Sequence, residues 1–138
     1  MTTEQQLQAM FMNPARRRLD MGMTIDILYH VPCIYCADGF NMSVQTGKAI
    51  YCSPRDSRGP WHKVEVGFPS ERVEELMEYA EDPTKPVETV YGYVPLEVVV
   101  KVVDAHGGIA TDEARRAFVA AEEMKAIAAR EAAKAAQQ

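Results

Sequence analysis

From Tyr29 to Trp61 the chain reads YHVPCIYCADGFNMSVQTGKAIYCSPRDSRGPW, a stretch that holds all three cysteines, the only tryptophan and three of the eight prolines. Its turn residues cut it into short extended segments, so the chain around it is committed to a sheet. Thr24 to His30 sets Ile25, Ile27 and Tyr29 against Thr24, Asp26 and His30, the period of a half-buried strand, and Pro32 ends it. Phe40, Met42 and Val44 then alternate with Asn41, Ser43 and Gln45, and Thr46-Gly47-Lys48 turns the chain into Ala49 to Cys52, which predicts a hairpin. Ser53 to Pro60 is turn chemistry throughout, a loop that exposes Arg55 and Arg58. Trp61 to Phe68 returns as a strand with His62, Val64, Val66 and Phe68 on one face.

On either side of this sheet the apolar spacing turns helical. Leu7, Met10 and Phe11 mark a short peripheral helix over 3–12, stopped by Asn13-Pro14. Ser70 is placed to cap a helix whose stripe is Val73, Leu76, Met77 and Ala80. Glu88 to Val94 reads as a further strand, with Thr89, Tyr91 and Tyr93 opposing Val90 and Gly92. Pro95 opens a second helix with Leu96, Val99, Val100 and Val103 as its stripe and Gly107-Gly108 as its stop. Thr111 caps a last helix over 111–136, where Ala114, Phe118, Ala121, Met124 and Ala128 form a narrow stripe suited to a second subunit. The expected fold is α+β: an antiparallel sheet of about five strands, two packed helices and a longer C-terminal helix, in one domain with its core over 24–109.

A chain of 138 residues, 47% apolar and 25% charged, is the size and composition of one globular domain. It has no apolar run of membrane-spanning length and no secretory leader pattern, which predicts a cytoplasmic protein. A net charge of -5 has the wrong sign for general nucleic-acid binding. That charge is unevenly spread: Lys48, Arg55, Arg58 and Lys63 face only Asp56 in their stretch, whereas the segment from Glu65 to Glu88 is strongly acidic.

In a reducing cytoplasm an odd number of cysteines points to thiols or metal ligands and away from disulfides. Cys33 and Cys36 have the CxxC spacing of a zinc turn, with Cys52 as third ligand and His30 or His62 as fourth; against this stands the ordinary use of cysteine as a small core residue. A thiolate nucleophile would draw on the same cysteines with His30, His62 or His106 as base, without a recognisable local signature. A third reading is an anion site, in which Arg55 and Arg58 hold a phosphate or carboxylate and Trp61, Tyr35, Tyr51, Tyr91 and Tyr93 offer stacking surfaces. The alternative for those aromatics is packing in the core and on the sheet.

The runs YCSPR, RGPW, VEVGFPS and VYGYVP, followed by HGG, resemble a small protein of tailed bacteriophages and prophages, over Thr24 to Ile109. The resemblance implies expression in a bacterial host and a role in host takeover or in blocking a host defence, by binding a protein or sequestering a signalling nucleotide. The resulting expectation is a non-catalytic binding protein for a host protein or a nucleotide-like anion, needing no cofactor. A zinc-stabilised adaptor and a thiol-dependent enzyme are the alternatives.

Overall fold

The computed structural model describes residues 1–12, 17–18, 29–47, 50–55 and 59–137, with the backbone alone at 17–18 and 29–30. Helix α1 (Thr3–Met12) is followed by β1 (Arg17–Arg18), β2 (Tyr29–His30), β3 (Ile34–Tyr35), β4 (Asn41–Gln45) and β5 (Lys63–Gly67). A 3-10 helix (Glu74–Tyr79) leads to β6 (Val90–Pro95), α2 (Leu96–Ala105) and α3 (Asp112–Ala136). The architecture is α+β with an antiparallel sheet, but that sheet has four strands among the described residues, in the order β3-β4-β5-β6. Of the strand expected over 24–30, Tyr29 and His30 pair with Arg18 and Arg17 as a separate two-stranded ribbon, and 24–28 lie outside the described residues.

The alternation in β4 and β5 works as expected: Met42, Val44, Val64 and Val66 are fully buried. The hairpin partner of β4 is different. Its neighbours are β3 and β5, and Ile50–Cys52 forms no strand. After Gly47 the chain tightens instead, with Cys52 N–H donating to the Ile50 carbonyl at 2.8 Å and the Cys52 thiol 3.3 Å from the Gly47 carbonyl. Tyr51 then meets β6, where its carbonyl accepts from Tyr93 N–H at 3.0 Å.

In β6 the expected face is split. Val64 pairs with Val94 and Val66 with Tyr91, so β6 carries a bulge opposite Val64–Val66. Tyr91 and Val94 both point into the core, while Tyr93, in the left-handed region at φ 53°, is turned out and 43% exposed. Phe68 likewise leaves the buried face of β5 at φ 49° and is 58% exposed.

The helix expected after Ser70 is a short 3-10 helix without a side-chain cap. Ser70 is used elsewhere: its N–H donates to the Asn41 carbonyl and its hydroxyl accepts from Asn41 N–H, lashing the segment to the start of β4. Val73 and Leu76 still reach the core. Helix α2 buries Leu96, Val99, Val102 and Val103, with Val102 replacing the expected Val100. Pro95 is its cap residue, and Gly107 and Gly108 leave it at φ 91° and 85°, which only glycine adopts without strain.

Helix α1 is no peripheral element. Leu7 and Phe11 are fully buried, the Phe11 ring meets Trp61 edge-on at 5.9 Å, and the Gln8 amide clasps the Trp61 backbone through both its N–H and its carbonyl. No helix among the described residues is long and apolar enough to cross a membrane.

The turn after β3 is tied to the end of α2 through His106, which stacks on Phe40 at 4.1 Å and holds the Asp38 carboxylate at 2.6 Å. The Phe40 N–H and the His106 ring both stabilise that carboxylate and hold its pKa below the usual range. Stability from this group is therefore present above the unfolded-state value, about 3.9, and is lost as pH falls through the lower folded value. Asp38→Asn is expected to lower the melting temperature at neutral pH and to lose less on acidification, so that the two melting curves converge at low pH. Parallel curves from neutral to acid would show that Asp38 contributes nothing.

Candidate functional site

The structure disperses the residues proposed as an anion site. Trp61 and Tyr91 belong to the core at 1% and 0% exposure, and the Tyr91 hydroxyl donates to the Pro86 carbonyl. Arg58 lies outside the described residues. Arg55 keeps one aromatic neighbour: its guanidinium is 5.8 Å from the centre of the Tyr51 ring, which in turn meets Tyr93 at 5.9 Å. Gly92 admits this pair, since a Cβ there would come 3.3 Å from that of Tyr51.

The cysteines do not converge either. Cys33 and Cys36 flank β3 and, three apart on an extended strand, turn to opposite faces, where a zinc turn would need both thiolates on one ion. Cys33 is half-buried with its thiol 3.8 Å from the Asn41 amide oxygen; Cys36 is wholly buried, and Cys52 packs against the Gly47 and Pro54 carbonyls. No disulfide joins the three, and among the described residues no three His, Cys, Asp or Glu side chains could hold a metal ion. The side chain of His30 lies outside the described residues.

Nor do Cys33 and Cys36 suit a nucleophile. Burial pushes Cys33 up and raises Cys36 to about 11, the reverse of what a thiolate needs. His62 faces Ser53 at 3.1 Å, and His106 stands between Asp38 and, at 3.6 Å, Glu71, with no thiol or hydroxyl among the described residues hydrogen-bonded to it.

What the fold does assemble is a cleft of about 610 Å³ between α1, the segment Val31–Tyr35 and the entry to α3. Each wall has a local cause. The Gln45 amide hydrogen-bonds both the N–H and the carbonyl of Val31, fixing the extended segment beside β4. Ile109 and Ala110 close the far side because Ala110 N–H donates to the Tyr35 carbonyl at 2.8 Å. Thr111 caps α3 by accepting from Ala114 N–H, which sets Arg115 on the first turn, facing the cleft.

The walls are mainly apolar, with Met10, Val31, Ile34 and Ile109 among them, and the cationic side chain is Arg115. Its guanidinium lies 5.5 Å from the centre of the Tyr35 ring and donates to the Cys33 carbonyl at 3.3 Å. Arg115 is half-buried, and no carboxylate among the described residues forms an ion pair with it. Tyr35 is held rigidly beneath it, stacked on Phe118 and donating its hydroxyl to Glu122 at 2.6 Å. Burial and that hydrogen bond raise the phenol to about 12, so it stays a neutral donor.

Of the residues expected from the sequence, Tyr35 and Cys33 reach this cleft; Arg115 was missed. Its signal was present: a cation in the first turn of a helix opposes the helix dipole, and a residue that breaks a local rule marks a site. Asp112, one turn earlier, follows that rule and also borders the cleft. No family model matches this chain, and no curated protein or solved structure does.

Proposed function

We propose that this is a non-catalytic binding protein that takes a small anion with an apolar or aromatic body, a nucleotide-like molecule being one such, into the cleft beside Arg115. One observation carries this reading: a half-buried guanidinium without an acidic partner among the described residues, on the wall of a mainly apolar cleft. Charges removed from water are ordinarily paired, and a mainly apolar cleft of a few hundred Å³ with a small number of placed polar groups is the usual form of a small-molecule site. The anionic head would sit on the guanidinium, and the body would lie against Met10, Val31, Ile34 and Ile109.

A second reading, a surface for a host protein, rests on Tyr51 and Tyr93. Tyr93 holds a left-handed backbone that side chains seldom adopt, and the outcome is an exposed tyrosine pair with Arg55 alongside. Tyrosine and arginine are the residues that most often anchor interfaces. The resemblance to phage proteins would make either ligand a host molecule, sequestered in takeover or anti-defence.

Cys33 reports on the cleft from inside. In the native protein iodoacetamide should alkylate Cys33 alone, since Cys36 and Cys52 are 0% and 1% exposed. Saturating anilinonaphthalenesulfonate, an aromatic anion, should slow that alkylation at least about fivefold, read by intact mass. A bound dye that leaves the Cys33 rate unchanged would put the site elsewhere.

A further inference from the structure

Helix α3 runs for 25 residues, and none of them is buried. It touches the body of the protein through Arg115, Phe118 and Glu122, which share one side of the helix; the last of these contacts joins Glu122 to Tyr35 and Asn41. Beyond Glu122 the helix continues for about 20 Å at 1.5 Å per residue. Isolated helical segments of this length are marginal in water, even when rich in alanine.

On the side opposite the docked one, Ala117, Ala120, Met124 and Ile127 recur at helical spacing, and Met124 and Ile127 are 66% and 44% exposed. Ala121, Ala128 and Ala135 follow at seven-residue intervals beside them. Small residues in such a row let two helices approach closely.

We infer that this face pairs with the same face of a second copy of the chain, the two helices running antiparallel about a two-fold axis near Ala126. The charges choose the orientation. Along one flank of the stripe stand Arg116, Glu123 and Arg130, again at seven-residue intervals. In a two-fold antiparallel pair that flank meets itself reversed, and the register that places Glu123 opposite Arg130 of the other copy does so twice. The same register sets Met124 against Ala128 and Ala117 against Ala135, large on small and small on small. Sliding by one heptad in either direction puts Glu123 on Glu123 or Arg130 on Arg130. The protein body lies on the far side of each helix, out of the way of the partner. Glu131 enters the seam opposite Ala121, whose small side chain leaves the carboxylate a path to water.

Sedimentation of the full chain tests this. Wild type should sediment at twice the chain mass, and Met124→Asp as a monomer with an unchanged melting profile of its body. Glu123→Arg and Arg130→Glu should each weaken the dimer about tenfold or more, because each replaces two attractions with two repulsions. The double variant should regain most of the wild-type affinity. A monomeric wild type, a dimer indifferent to Met124→Asp, or singles that weaken without rescue in the double variant would each overturn the antiparallel pair, the last by assigning the face to another orientation or another protein.

Discussion

Trp61→Ala is expected to cost the fold about 3–5 kcal/mol, the range for a large aromatic removed from a packed core. The indole is 1% exposed, meets Phe11 edge-on, and belongs to the residue whose backbone Gln8 clasps, so the cavity would open between α1 and the sheet. Domains of this kind have about 5–15 kcal/mol in total. The variant should therefore unfold at a much lower urea concentration with an unchanged dependence on urea. Gly59→Ala attacks the same packing from outside: a Cβ there would lie 2.7 Å from the indole, at a backbone φ of 64°. If Trp61 were instead a ligand-stacking surface, Trp61→Ala would leave the urea midpoint in place and abolish binding. That outcome would contradict the packing described here.

Why Trp61 reads ambiguously in the sequence is a matter of distance along the chain. A tryptophan beside an arginine-bearing turn has the composition of a stacking site, and what buries it is α1, more than forty residues away in sequence. Elements decided by local pattern were legible: the alternation of β4 and β5, the valine-rich α2, the Thr111 cap of α3. Features decided by pairing were not. Tyr93 shares the two-residue period of Tyr91 and would share its face, but the bulge opposite Val64–Val66 turns it outward. Ser70 has the chemistry of a cap and gives it to Asn41 instead. The CxxC spacing is the same for a zinc turn and for two ends of a short strand, and pairing of β3 with β4 makes it the strand. The cleft has walls from three distant segments, so no window of sequence contains it, although Arg115 on the first turn of α3 was an anomaly visible from the start.

Arg115→Gln is expected to weaken anion binding about ten- to a hundredfold, since a charge-assisted hydrogen bond contributes roughly 1.5–3 kcal/mol. The fold should tolerate the change. Arg115 donates to a single backbone carbonyl, at a long 3.3 Å, and lies over Tyr35, which keeps its stacking on Phe118 and its hydrogen bond to Glu122. Arg115→Lys should restore only part of the affinity, because a lysine offers a point charge where the guanidinium offers a planar fork. The deciding measurement is a calorimetric titration of anilinonaphthalenesulfonate into wild type and Arg115→Gln at equal folded concentration. One site per chain in wild type, weakened at least about tenfold by the substitution with the melting temperature nearly unchanged, is the predicted result. Equal affinity in both proteins, or no binding to either, would contradict the assignment of the cleft as an anion site.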